Sequence, residues 1–447
     1  MTYYGLNPSF CDASSRLPLF ADAVRRGRAF QVFREDGTPT PELSSIGPDE
    51  LPIEDGRHHG LRLFDDMGGT MPLLHGVTLG GLTLKQRPGE AAVLYGRRWT
   101  GLERVIVRGG VAAGWHVPSL DALGSLRPRV LRTLDWQRTN LRTHWDARWP
   151  LELYGVEMPL KKQCEAANLL SCALWWCAPP RYELPVEDYE AWLEAALQVI
   201  QETAKRPPIL EYGNEIWNAA FPVHGWLQEH VGPPSWHEIA AQEIAILKRV
   251  ADRVFGPPGL LGARTYYLFV GGQLTVPSHM DRILSALTDL GVTPDLAGPA
   301  LYVTPLRANK EEWEATGAVP TQDELRASCF ARLKEIERLD PRGPLEQHDE
   351  IRQCYNVDYF ACYEAGQSLI AGAHPWRRAA IEAQSTEWMG DLYREIRRVA
   401  ESAGVDLLNW YSAASSQEPT DSRVDVFGLL EGIGKPLLSK ALAARGD

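Results

Sequence analysis

Residues 209–218 read ILEYGNEIWN. The first five, Ile209–Gly213, form a short apolar run that ends in two polar residues, Asn214 and Glu215. A run of that length, closed by a glycine, predicts a buried strand. Just upstream, Tyr189, Trp192, Leu193, Ala196, Leu197 and Ile200 follow the spacing i, i+3, i+4, i+7, i+8, i+11. That spacing predicts an amphipathic helix with one buried stripe. A helix followed by an apolar strand is half of a β-α repeat.

The same alternation extends in both directions. Further strands are expected at Val130–Asp135, Cys172–Cys177, Thr265–Val270, Leu296–Tyr302, Tyr359–Tyr363 and Val405–Trp410. An eighth is expected at Tyr3–Asn7, followed by the helical segment FADAVRRGRAF. A helix is expected between Ser278 as N-cap and Gly291 as stop, enclosing Met280, Ile283, Leu284, Leu287 and Leu290. Pro436–Ala444 reads as the last helix. Strands alternating with helices give parallel β-α units, so the expected fold is α/β, a (β/α)8 TIM barrel. Residues 31–120 read differently: GVTLGGLTLKQ, AAVLYG and LERVIVRGG are β-branched, glycine-punctuated and without helical period. The expected organisation is a first β-α unit at 1–30, a small inserted β-rich domain at 31–120, and the rest of the catalytic barrel at 121–447. The connection from Val303 to Val357 is expected to form part of a cleft wall.

The chain has 447 residues, room for a large barrel and an appendage. Its net charge of −12 argues against nucleic acid, whose phosphates require a basic footprint. The seven cysteines are scattered, with no C-x-x-C pair, and read as core thiols rather than a disulfide framework. The N-terminus lacks the pattern of a signal peptide, and no apolar run is long enough to span a membrane. The compartment and the oligomeric state stay open. His237-Glu238 begins a metalloprotease-like pattern, but HEIAA lacks the second histidine. No nucleophile elbow, phosphate loop or complete dinucleotide fingerprint occurs, so neither metal nor cofactor is expected.

Barrel active sites lie at the C-terminal ends of the strands. Two apolar runs end there in a glutamate: Ile209–Gly213 leads to Glu215, and Tyr359–Tyr363 leads to Glu364 within YFACYEAGQ. Strands four and seven face each other across a barrel mouth. Two opposed carboxyls, one protonated and one ionised, are what a two-carboxylate glycosidase requires. In a retaining enzyme they stand about 5–5.5 Å apart.

ILEYGNEIWN resembles the Asn-Glu motif that ends strand four in glycoside hydrolase clan A, and YEAGQ resembles the strand-seven nucleophile motif of the same clan. The nearest likeness is to poorly characterised bacterial proteins whose motifs read EYSNEVWN and YEGGQ. LRTLDWQRTN is similar to their strand-two segment and GLLEGIGKPLLSKAL to their closing region. The resemblance implies Glu215 as acid/base, Glu364 as nucleophile and Asn214 as partner of the sugar 2-hydroxyl. Tyr302 is then placed to donate to Glu364, and Arg138 to lower that carboxyl's pKa by charge. Trp410 is a candidate floor for the sugar, with Trp217 and Trp176 as further aromatic contacts. The chain departs from these relatives where Pro179, Pro180 and Arg181 stand in place of a strand-three histidine, and at Ala365 and Ser368.

Each of these features has a structural alternative. Most of the 15 tryptophans can be core residues between helix and strand, and Arg138 can pair with Asp135 or Asp146. The expected activity is retaining hydrolysis of a β-linked oligo- or polysaccharide, with transglycosylation as a variant. The alternative is a non-catalytic glycan-binding or structural protein that keeps a glycosidase barrel.

Overall fold

A computed structural model of the chain describes residues 2–8, 29–34, 43–44, 58–64, 82–85, 93–96, 111–112, 115–137, 139–141, 158–229, 235–256, 264–338, 342–369, 374–413, 429–430 and 437–446. Eight parallel strands close into a ring: β1 Tyr3–Asn7, β2 Val130–Arg132, β3 Ala173–Ala178, β4 Ile209–Tyr212, β5 Tyr267–Gly272, β6 in two pieces Leu296–Pro299 and Leu301–Val303, β7 Tyr359–Gln367 and β8 Leu407–Tyr411. Each pairs with the next in sequence, and β1 closes the ring on β8, with Tyr3 opposite Leu407 and Asn7 opposite Tyr411. The chain therefore folds as a (β/α)8 barrel.

Alternation along each strand sorts side chains into two cores. Val130, Trp175, Ile209, Phe269, Leu296, Ala361, Tyr363 and Leu407 fill the barrel interior. Leu131, Trp176, Leu210, Leu268, Ala297, Cys362, Leu408 and Trp410 belong to the larger core that also contains the helix faces. The pair Trp175-Trp176 shows the rule directly, with one indole inside against Phe269 and the other against Trp192 of the following helix. Gly298 is required where β6 meets β7, because a Cβ there would lie 2.2 Å from the carbonyl oxygen of Ala361.

The expected helix around residues 189–200 spans Val186–Thr203 and buries all six residues of the stripe. Removing six such side chains from water stabilises the barrel by roughly 10 kcal/mol, at about 1.5–3 kcal/mol each before entropy. The helix expected after Ser278 as N-cap starts two residues earlier, at Pro277, with Val276 as N-cap. Proline's fixed φ suits the first helical position, which leaves Ser278 as the second helical residue rather than the cap. Gly291 follows the helix with a positive φ, as a stop should. In the helix Trp236–Phe255, Glu238 reaches back to the Ser235 N–H as part of a capping box, which gives the His237-Glu238 pair a structural use.

Between β1 and β2, five strands pair antiparallel in the spatial order Leu43–Ser44, Ala29–Arg34, His58–Phe64, Val93–Gly96, Leu82–Lys85. Two of the three predicted β segments fall among them, and LERVIVRGG lies outside the described residues. Most of FADAVRRGRAF also lies outside them, and its last two residues, Ala29 and Phe30, begin a strand. The stretch from Val303 to Val357 carries three helices, Arg307–Thr316, Gln322–Glu337 and Pro344–Cys354. The closing helix is Ser439–Arg445. Among the described residues the six cysteines are free, and no helix is long and apolar enough to cross a membrane.

Candidate active site

At the top of β4 the chain turns sharply through Gly213 (φ 65°) into Glu215 (φ 42°). A Cβ on residue 213 would lie 2.8 Å from Ile216, so the turn needs glycine. Glu215 holds a left-handed backbone that a non-glycine residue rarely adopts, a kind of local strain that collects at functional sites. Its carboxylate accepts from Asn218 Nδ2 at 2.8 Å and from the Tyr363 hydroxyl at 3.2 Å.

Glu364 reaches the same space by a different device. Strict alternation along β7 would put Tyr363 inside and Glu364 outside. The register between β7 and β8 shifts between Cys362 and Ala365. That irregularity lets consecutive side chains turn to the same side, which is what a bulge does for an active-site residue. Glu364 is buried and receives two hydrogen bonds, from Arg132 Nη1 at 2.7 Å and from the Tyr302 hydroxyl at 2.8 Å.

Arg132 ends β2 and is fully buried. Its Nε and Nη2 donate to the two oxygens of Glu211 at 2.8 and 2.9 Å, and Nη2 also donates to Asn214 Oδ1. The rings of Trp175 and Tyr363 lie over the guanidinium, 5.4 and 5.1 Å from its carbon. Asn214 is buried and donates from Nδ2 to Asn140 Oδ1 at 2.9 Å, which leaves the second proton of that amide. Asn7, at the end of β1, is fully buried, and among the described residues neither of its amide atoms has a hydrogen-bond partner.

The two carboxyls therefore sit in unlike surroundings. Burial pushes Glu215 up, opposed by its bonds from Asn218 and Tyr363 and by the charge of Arg132. Burial also pushes Glu364 up, opposed by Arg132 and by the Tyr302 hydroxyl and reinforced by Glu215, so that the pair together takes up its first proton at about 8. Buried Glu364 and half-buried Glu215 feel each other's charge and titrate as a pair, which takes up its first proton jointly. The contacts decide where that proton resides. Glu364 touches a cation, whereas among the described residues Glu215 touches the neutral donors Asn218 and Tyr363, so the proton belongs on Glu215 and the charge on Glu364. Tyr302 stays a donor, its hydroxyl pushed well up by burial and by the charge of Glu364.

A consequence for stability follows. A carboxyl whose folded pKa lies above its unfolded value holds its proton longer in the folded state. The stabilisation is full below about 4.5 and is lost as pH rises to about 8. The wild-type Tm should fall across that window relative to a Glu215→Gln/Glu364→Gln double variant, in a paired thermal-unfolding series. Equal slopes in both proteins would mean the pair holds no such proton.

Of the residues singled out in the sequence, the structure brings together Glu215, Glu364, Asn214 and Tyr302. Trp217 stays beside Glu215, half-buried, with its indole N–H unbonded. Two expectations are corrected. Trp176 and Trp410 both fall on outward positions of their strands and are buried against helices. Trp410 donates to the carbonyl of Ala444 and packs on Tyr393, so it anchors the closing helix. Its neighbour Tyr411 stands 6.2 Å from Tyr302, edge to face. Arg138 lies outside the described residues, and the cation in contact with Glu364 is Arg132. Arg181, in the place of the strand-three histidine, is tied to Glu243 and lies over Trp226. Arg132, Glu211, Trp175, Tyr363 and Asn218 were not singled out. The signal available for the first two was a charged residue inside a run otherwise read as apolar strand. Among the described residues, no group of three or more His, Cys, Asp or Glu side chains is arranged to hold a metal ion.

No protein-family model matches the chain, and no curated protein does. Among solved structures the chain is similar to the GH51 arabinofuranosidase from Xanthomonas axonopodis pv. citri, with 13% identity and a TM-score of 0.43, covering 70% of this chain and 63% of that one. It is also similar to the GH53 catalytic domain from Ignisphaera aggregans, with 13% identity and a TM-score of 0.40, covering 72% and 87%. A third is a GH128 endo-beta-1,3-glucanase from Amycolatopsis mediterranei, with 13% identity and a TM-score of 0.37, covering 75% and 97%. The chain thus spans a little under two thirds of the arabinofuranosidase's length. These neighbours are glycoside hydrolases.

Proposed function

We propose that the chain is a retaining glycoside hydrolase acting on a β-linked oligo- or polysaccharide, with Glu215 as acid/base and Glu364 as nucleophile. The observation that carries this reading is the unlike pair: one buried carboxyl held by a cation and a tyrosine, the other held by neutral donors. A protein that only binds glycan has no use for a buried carboxylate that is kept charged next to a second one that is kept protonated.

In the first step, a Glu364 oxygen attacks the anomeric carbon while the glycosidic C–O bond breaks and the leaving oxygen takes the proton of Glu215. In the second, Glu215 accepts a proton from water, whose oxygen displaces Glu364 at the same carbon. Two inversions restore the original configuration. Asn214 offers its remaining amide proton to the 2-hydroxyl, and Trp217 offers an aromatic face beside the acid. The insert at 31–120 is a separate small domain in this reading, and the helices between Val303 and Val357 wall the cleft.

The test is a panel of aryl β-glycosides and β-glycans with wild type and Glu215→Ala. Wild type should turn over at least one of them. Glu215→Ala should lose activity on poor leaving groups by about 10²–10⁴-fold, the usual contribution of a general acid, while keeping glycosylation by dinitrophenyl glycosides. A uniform loss across all leaving groups would remove Glu215 from the acid role. Silence of wild type across the panel, with retained glycan binding, would favour the binding protein.

A further inference from the structure

Beneath the pair of carboxyls lies a third, Glu211, which the two-step reaction does not use. It sits on β4 four residues before Glu215 and is buried. Four donors converge on it: Arg132 Nε, Trp175 Nε1 at 2.8 Å and Cys177 Sγ at 3.3 Å on one oxygen, and Arg132 Nη2 on the other. Every contact is a donor, the complement of an ionised carboxylate. Because Nε and Nη2 are both engaged from below, Nη1 is the guanidinium nitrogen left to meet Glu364. A planar fork held on one edge has its other edge aimed.

We propose that Glu211 is a positioning residue: it fixes the edge of Arg132 that faces Glu364 and cancels part of that cation's field at both upper carboxyls. The proposal rests on the reading of Glu215 and Glu364 as the working pair. The groups whose charge or titration bears on the pair are Arg132 from β2, Cys177 from β3, Glu211 from β4, Tyr302 from β6 and Tyr363 from β7, together with each other. Arg132 is the cation in contact with Glu364, and its field reaches Glu215 as well. Removing the negative charge of Glu211 therefore leaves more of the cation's field acting on both carboxyls. The sign is fixed: both then ionise at lower pH.

The experiment combines the pH profile of kcat/KM with a carbon-13 titration of the glutamate carboxyl groups, assigned with the Glu215→Gln and Glu364→Gln variants. In Glu211→Gln, both limbs and both carboxyl titrations should move down by about one pH unit, in the range of a nearby charge. In Glu211→Asp, which keeps the charge but withdraws it by a methylene, the titrations should stay near wild type while kcat falls about tenfold from lost aim. Glu211→Gln with unshifted titrations, whatever its kcat, overturns the proposal. So does Glu211→Asp with wild-type kcat, which also serves if the glutamine variant does not fold. The carbon-13 titration reads the field without turnover, so a chain that cleaves nothing would sink the hydrolase reading and still decide this one.

Discussion

Glu364→Ala lowers kcat by about four orders of magnitude on a substrate that wild type cleaves, roughly 5.5 kcal/mol of transition-state stabilisation at 1.4 kcal/mol per decade. The side chain supplies the bond that replaces the glycosidic bond, so nothing else in the site substitutes for it. Its two partners, Arg132 Nη1 and the Tyr302 hydroxyl, are left aimed at the space it vacated. A small anion suits that space. Added azide should attack the anomeric carbon there, with Glu215 still protonating the leaving oxygen, and give the α-glycosyl azide from a β-glycoside. The β-azide would instead make Glu364 the acid/base and Glu215 the nucleophile, and an undiminished kcat would remove Glu364 from the chemistry. Among the predictions made for this chain, it separates a hydrolase from a glycan binder most directly, because a binder has no rate to lose.

How much of this was legible in the sequence depends on which periodicity governed each residue. The barrel was, because every strand is a short apolar run between helices of clear period, and six of the eight observed strands start and end within two residues of the runs that predict them. β2 stops three residues short, at Arg132, and β7 runs on to Gln367 past the glutamate. That extension contains the irregularity that turns Glu364 inward. A residue pattern does not encode such a shift, so the position of Glu364 at a strand end was readable and its direction was not. The tryptophans failed for the opposite reason. Position near a strand end makes Trp176 and Trp410 look like sugar contacts, whereas alternation from the inward Trp175 and Leu407 sends both outward. Applying period two from those inward neighbours would have found this. Arg132 was hidden inside a run read as strand to Asp135, although β2 ends at the arginine itself. Its partner Glu211 was hidden likewise, since a charged residue within an apolar run reads as an exception until its counter-charge, 79 residues away, is brought beside it.

Arg132→Met tests that hidden pair with the second-largest expected effect. The substitution keeps an unbranched side chain of similar length between Trp175 and Tyr363 but removes the charge. Glu211 and Glu364 then face each other's neighbourhood with no cation, and deleting one member of a buried ion pair costs about 3–5 kcal/mol of stability. Without Arg132 the largest influence opposing burial at Glu364 is gone and only the Tyr302 hydroxyl still opposes it, so that carboxyl is pushed further up and the acid limb of kcat/KM moves to higher pH. At neutral pH the nucleophile is then mostly protonated, and activity should fall by about three orders of magnitude, part of it recovered in alkaline buffer. The stability loss has the matching sign. Below about 4.5 the Glu364 carboxyl is neutral when unfolded as well as folded, so its share of the Tm gap to wild type is smallest there and widens as pH rises. Arg132→Lys separates the two contributions of the arginine, because lysine restores a charge but not the fork that meets Glu211 and Glu364 together. It should recover most of the pH profile and little of the rate. A methionine variant with wild-type Tm and an unmoved acid limb would show that neither carboxylate depends on this cation, and the assignment of charge to Glu364 would fall with it.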